Sequence, residues 1–233
     1  MSSRTASPPP SGSSRLVGVI ASMPALDRAT RLNDPPDFFE LRLDALFQSL
    51  GKVERALPRL RAPLILTARD PAEGGLHRLK AAARQDLILR FLDHAAFVDL
   101  ESRNAGKNRQ LREMIRERGV GLIISAHLLR MRAQETDFVR LMNNAARLRP
   151  AIFKLVVRTD NRQQLDRLVE FFTHRPAMDF EFAAMGLGRL ALESRLVLQQ
   201  LGSVLTYGAV GKPVIDGQPS LSQLRRASPA YIR

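Results

Sequence analysis

From Arg15 onward, short runs of apolar and β-branched residues alternate with longer segments in which Leu, Arg and Glu recur at helical spacing. Short apolar runs bounded by turn residues read as buried strands. An apolar period near 3.6 residues reads as an amphipathic helix. The strands expected on this basis are 16–22, 38–43, 63–67, 97–100, 121–125, 152–157, 179–183 and 204–207. The helices between and after them centre on 25–32, 45–56, 77–92, 105–117, 133–146, 160–173, 189–200 and 219–227. Alternating strands and helices imply a parallel sheet with right-handed crossovers. Eight such units at this length favour an α/β fold of the single (β/α)8 TIM barrel type, which typically takes ~250 residues. An open doubly wound sheet is the alternative. It calls for a G-x-G-x-x-G turn after an early strand, where this chain reads MPALDR from Met23 to Arg28.

Strands buried in a parallel sheet read as near-continuous apolar sequence, so charged residues inside these runs carry information. Barrel active sites are built at strand C-terminal ends. The second strand reads FFELRLD. Because side chains alternate faces, Phe39, Leu41 and Leu43 are expected toward the helices, and Glu40, Arg42 and Asp44 toward the barrel interior. This pattern fits a structural ion pair and a substrate-binding pair equally well. In the third unit Thr67 and Arg69 share a face, and Glu73 follows in a loop ending Gly74–Gly75. Alone, that segment reads as a turn with a solvated carboxylate. In the fifth, Ser125 and His127 share a face at the strand end. A lone histidine there is more often packed than catalytic.

The sixth strand reads AIFKLVV, with Ile152, Lys154 and Val156 directed inward. Lysine is rarely fully buried, and the chain uses only five lysines among 36 basic residues. Desolvation disfavours the ammonium form, and a neutral amine is what attacks a carbonyl. The competing reading is a lysine that snorkels to the rim. Adjacent strands lie ~4.8 Å apart, which lets His127 and Lys154 reach one substrate. No second histidine lies nearby at metal-ligand spacing, which disfavours a metal site. Gly186 and Gly188 are expected to turn the chain after the seventh strand. Arg195 falls in the following helix and Gly217–Gln218 in the last loop.

Composition adds bounds. The formal net charge of +13 suggests an anionic partner. The arginines are nevertheless spread through every helix-like segment, Trp is absent and Tyr occurs twice, so nucleic acid is not the favoured partner. A positive field suits an anionic metabolite equally well. The absence of cysteine removes disulfides and thiolate metal sites and fits a reducing compartment. No run approaches the ~20 apolar residues of a membrane span. Residues 1–14 are Ser/Pro-rich, lack the apolar core of a signal peptide, and read as a disordered tail before a barrel domain at 15–233.

Taken in order, these fragments resemble type I 3-dehydroquinate dehydratase, the Schiff-base dehydratase of the shikimate pathway. They are E-L-R-L-D at 40–44, T-x-R with E-G-G over 67–75, V-D-L-E at 98–101, S-x-H at 125–127 and the strand lysine Lys154. M-G, S-R, G-S and T-Y then run from Met185 to Tyr207, with G-Q at 217–218. The resemblance implies a cytoplasmic TIM-barrel lyase with neither metal nor organic cofactor, often a homodimer. Lys154 would form an imine with the ketone of 3-dehydroquinate. His127 would act as general base and then acid, and Glu73 would orient it. Glu40, Arg42, Arg69, Arg195 and Gln218 would hold the substrate. The chain departs from the family at two places. Val214, Ile215 and Asp216 replace a Ser-Ala-Pro run before G-Q, so one substrate hydrogen bond is lost, and Asp216 would repel the substrate carboxylate unless it points away. Leu128 and Leu129 stand where an aromatic is usual. Two other readings remain at this stage: a different Schiff-base barrel such as an aldolase, and a weakened homologue that binds polyanions.

Overall fold

The computed structural model describes residues 14–129, 134–213 and 215–228. Among these residues there are eight strands: β1 (Arg15–Ile20), β2 (Phe38–Arg42), β3 (Leu64–Thr67), β4 (Ala95–Glu101), β5 (Gly121–Leu128), β6 (Ile152–Arg158), β7 (Glu181–Leu187) and β8 (Leu205–Ala209). The helices between and after them are α1 (Met23–Ala29), α2 (Leu43–Leu46), α3 (Leu50–Ala56), α4 (Ala81–Phe91), α5 (Ser102–Ala105), α6 (Arg109–Glu117), α7 (Glu135–Ala146), α8 (Arg162–His174), α9 (Ala191–Gln200) and α10 (Leu221–Ala227). The sheet runs β7-β6-β5-β4-β3-β2-β1-β8 with every ladder parallel. This is the expected (β/α)8 barrel.

Alternation along each strand divides the apolar residues into two cores. Val17, Val19, Ile65, Ile123, Ile152, Val156 and Met185 fill the barrel interior. Phe39, Leu41, Leu66, Val98, Leu122, Ile124, Phe153, Leu155 and Phe182 pack outward under the helices. Lys154 lies on the inward face between Ile152 and Val156, so its burial follows from the period of the strand that carries it.

Several element boundaries move, each for a physical reason. Ser22, expected in the first strand, caps α1 by accepting the Ala25 N–H at 3.3 Å. The helix expected over 77–92 starts only at Ala81, because the Leu76 N–H is held by Asp44 at 3.0 Å and keeps the preceding loop over the barrel mouth. The segment 105–117 breaks at Gly106–Asn108 into α5 and α6. Strand β7 continues through Gly186 to Leu187 rather than turning there. A Cβ on Gly186 would lie 2.1 Å from Thr159 Oγ1 and 2.7 Å from Ser194 Oγ, so this glycine serves close packing. Gly188, at φ 99°, makes the turn. Ser14, assigned by composition to the tail, pairs its hydroxyl with Thr206 Oγ1 at 3.0 Å. The rest of the tail lies outside the described residues.

The seam between β7 and β8 is closed differently from the other seven junctions. The Val204 N–H reaches the Phe182 carbonyl at 3.1 Å. Beside it, the buried Ser203 hydroxyl accepts the Ala184 N–H at 3.0 Å and faces the Ala184 carbonyl at 3.2 Å. Ser203→Ala removes both contacts and leaves a buried amide unsatisfied. The expected loss is about 1–3 kcal/mol of unfolding free energy, read from the urea midpoint at unchanged m-value.

Candidate active site

Lys154 projects from the middle of β6 toward the axis and is 3% exposed. Its Nζ donates to Asp99 Oδ2 at 2.5 Å, lies 3.7 Å from Glu40 Oε1, and sits 4.4 Å from the centroid of the Tyr207 ring. The eight residues singled out from the sequence (Glu40, Arg42, Arg69, Glu73, His127, Lys154, Arg195 and Gln218) all line a single cavity at the C-terminal ends of the strands. Snorkelling is thereby replaced by burial, and the solvated turn expected around Glu73 is replaced by a buried carboxylate.

Glu73 reaches the cavity because of the chain that carries it. After β3, Asp70 caps a single 3-10 turn over Pro71–Glu73 by accepting the Ala72 N–H at 2.8 Å. Gly74 ends that turn at φ 89°. At Gly75 a Cβ would lie 2.4 Å from the Arg69 carbonyl oxygen. Both glycines are therefore required for the loop to fold back on itself. Glu73 Oε2 then accepts the backbone N–H of His127 at 3.1 Å and meets His127 Nδ1 at 2.9 Å.

The electrostatics of this pair are opposite for the two partners. Burial, reinforced by the negative charge of Glu101 and opposed by Arg69, pushes the Glu73 carboxyl up to about 7. Burial, and then the positive charges of Arg69 and Lys154, hold the His127 imidazole well below its ordinary value. His127 is thus neutral near pH 7. When Glu73 is ionised it accepts Nδ1–H, leaving Nε2 as a bare acceptor in the cavity. When Glu73 is protonated it donates to Nδ1, and Nε2 must carry the proton.

The arginines are held in different ways. Arg42 forks onto Asp44, with Nε and Nη2 each 2.9 Å from a carboxylate oxygen, and Nη2 also donates to the Gly74 carbonyl at 3.1 Å. Asp44 in addition accepts the backbone N–H groups of Arg69 and Leu76. Burial alone would raise its carboxyl, but the Arg42 bonds and charge outweigh this and hold it below the usual range. Arg69 donates to both oxygens of Asp99, at 3.2 and 2.9 Å, to Glu101 at 3.1 Å and to Ser125 Oγ at 2.7 Å. Arg195, from α9, bonds the carbonyls of Tyr207, Gly186 and Ala191 through Nε and Nη1. Asp99, Glu101 and Tyr207 complete this site without having been assigned a role from the sequence. The signal for the two acids was present: in AFVDLE they alternate inward two residues apart, as Glu40 and Arg42 do in β2.

The last loop settles over the mouth. Gly217, at φ 73°, packs against Gly188 so closely that a Cβ would lie 2.4 Å from its nitrogen. This sets Gln218 on the cavity with its Oε1 buried and, among the described residues, without a hydrogen-bond partner. Asp216 is 85% exposed at its side chain and lies 3.5 Å from Arg158 Nη2. It points away from the cavity, so the expected repulsion of a bound carboxylate does not arise from this geometry. Ile215 and Leu129 line the rim, and Val214 lies outside the described residues.

Comparison with known proteins accords with this geometry. Residues 21–230 match the family model described as Type I 3-dehydroquinase. The chain is 30% identical over 210 residues to the 3-dehydroquinate dehydratase of Methanocella arvoryzae, covering 88% of this chain and 93% of that protein. It is 27% identical over 213 residues to the enzyme of the same name from Thermococcus gammatolerans, covering 91% and 96%. Among solved structures, the 3-dehydroquinate dehydratase of Geobacillus kaustophilus superposes with a TM-score of 0.80 at 21% identity, over 91% of this chain and 89% of that one, which shows the shared fold. With a family match that spans nearly the whole barrel and a buried lysine beside a carboxylate-bound histidine at its mouth, the chain belongs to the type I 3-dehydroquinase family of hydro-lyases.

Proposed function

We propose that this chain converts 3-dehydroquinate to 3-dehydroshikimate and water through an imine on Lys154. The observation that carries this reading is the meeting of a buried amine and a neutral, carboxylate-bound imidazole on the walls of one cavity. Lys154 Nζ attacks the C3 ketone and, with loss of the ketone oxygen as water, forms a protonated imine. The imine nitrogen then draws electrons from the adjacent carbon and acidifies the C2 hydrogens. His127 Nε2 removes one of them, and the resulting enamine expels the C1 hydroxyl, protonated by the same imidazolium. Hydrolysis of the imine releases the product and restores the amine.

The remaining residues bind and orient. Arg195 and Gln218, on the elements that cover the mouth, are the groups assigned to the substrate carboxylate and a hydroxyl. Glu40 and Arg42, which line the same cavity, are assigned to the remaining polar groups of the substrate. Arg69 is bonded so fully to Asp99, Glu101 and Ser125 that its contribution is the fixed positive charge it holds against the cavity wall. The family resemblance is what supports a homodimeric state and a cytoplasmic location.

Borohydride added during turnover of 3-dehydroquinate is expected to leave a reduced adduct on the peptide that contains Lys154, identified by mass spectrometry. A folded protein that yields no adduct overturns the imine. His127→Ala is expected to form the same adduct while turning over about 10²–10⁴-fold more slowly. Turnover at the wild-type rate removes His127 from its role.

The Glu73–His127 pair also sets a pH dependence. Only the ionised carboxylate leaves Nε2 free to accept a proton, and Glu73 ionises at about 7. The expected kcat/KM therefore rises with pH through a single ionisation near that value. In Glu73→Gln the amide oxygen still accepts Nδ1–H but has no proton to lose, so this inflection disappears. An inflection that persists in the variant assigns it to another group.

A further inference from the structure

Lys154 is surrounded by groups that recognise a cation, and they come from nearly every neighbouring strand. Asp99 on β4 accepts its Nζ at 2.5 Å, Glu40 on β2 stands at 3.7 Å, and Tyr207 on β8 presents the face of its ring at 4.4 Å. The opposing charges are Arg42 on β2, which is bonded to Asp44, and Arg69 just after β3, itself bonded to Asp99 and Glu101. His127 on β5 is neutral, and β7 contributes only the apolar Ala183 beside Lys154. Asp99 is fixed independently of the lysine, because Arg69 grips both its oxygens and the Ser125 hydroxyl donates to Oδ1 at 2.5 Å. The Tyr207 hydroxyl, by contrast, has no partner among the described residues. The ring face is therefore what this side chain offers to Nζ.

A cation site at this position bears directly on imine chemistry. In the net conversion, an ammonium and a ketone become a protonated imine and water. The C3–N bond forms, the C3–O bond breaks, and two ammonium protons leave with the oxygen. Charge at Nζ is the same before and after. Whatever stabilises the ammonium in the free enzyme therefore remains in place to stabilise the protonated imine, which is the electron sink for loss of the C2 proton. Ring faces attract such cations, and a fixed buried carboxylate does so more strongly.

We propose that Asp99 and the Tyr207 ring face form a cation site that holds positive charge on the Lys154 nitrogen in both the free enzyme and the imine, making them positioning residues for the dehydration. This inference deepens the imine reading and rests on it for its second half. The first half is independent of it, since the free enzyme already contains the site.

The test has two arms. In the free protein, titration of Lys154 is followed by NMR of ¹³C-labelled lysine side chains, with Lys154→Met identifying its signal. Asp99→Asn is expected to displace the midpoint downward by at least about one pH unit. Tyr207→Leu is expected to displace it in the same direction by less, and Tyr207→Phe, which keeps the ring face, by less than Tyr207→Leu. With 3-dehydroquinate, Asp99→Asn is expected to lower kcat at least about tenfold with a smaller change in KM, although its amine is more readily neutral. A midpoint that stays at the wild-type pH in Asp99→Asn overturns the cation site. Should that variant not fold, an unmoved midpoint in Tyr207→Leu overturns it. A displaced midpoint with wild-type kcat overturns its part in dehydration. A displaced midpoint together with no borohydride adduct in the wild type defeats the imine and leaves the cation site standing.

Discussion

The buried Asp99 carboxylate ties together four strands of the barrel mouth. It sits on β4 and accepts hydrogen bonds from Arg69 after β3, Ser125 on β5 and Lys154 on β6. Taking a carboxylate out of water costs several kcal/mol, recovered only when its lone pairs are filled and its charge is opposed at short range. Both conditions hold here: burial pushes the Asp99 carboxyl upward, and Arg69 and Lys154 override it so that the group stays ionised. The charges beside it are arranged around that fact. Arg69 is fixed by it, Glu101 accepts a further bond from Arg69 Nη1, and Lys154 is held in the interior by the bond it donates to it.

The same positive charges act on the acid–base pair. Arg69 and Lys154 help to keep His127 neutral, while Arg69 opposes the rise that burial imposes on Glu73. The outcome is an imidazole without charge and a carboxylate that titrates near neutrality, which together give a proton acceptor whose tautomer is chosen by its partner. Two buried carboxylates thus have opposite characters. Asp99 is bonded directly to two cations and stays ionised, whereas for Glu73 burial outweighs the opposing charges of Arg69 and Arg103 and is reinforced by Glu101.

The departures in the last loop and at the rim change the cover of the site more than its floor. Asp216 turns outward to Arg158, whose Nε also binds Asp160 at 2.6 Å, so the added acid joins a pre-existing surface pair. The Gly217–Gly188 contact is made by backbone and is indifferent to the identity of Asp216. Leu129 supplies an apolar side chain to the rim.

How much of this was legible in the chain follows from which properties are local. Strand period is local, so the barrel, the inward direction of Lys154 and the pairing of His127 with it on neighbouring strands could all be read from sequence. The β7 boundary could not, because Gly186 looks like a turn residue until Thr159 and Ser194 are seen against it. Nor could the state of each charge. Read alone, the segment around Glu73 gave a solvated carboxylate, and only the resemblance paired it with His127, because a carboxylate's partner lies on another strand. Asp99 and Glu101 carried the same alternating signature as Glu40 and Arg42, yet their roles depend on Arg69 reaching across from β3. The sequence by itself determined the barrel and the position of the buried lysine on its inner wall. Only the tertiary structure decided what surrounds that lysine, since burial and charge are summed over residues far apart in the chain.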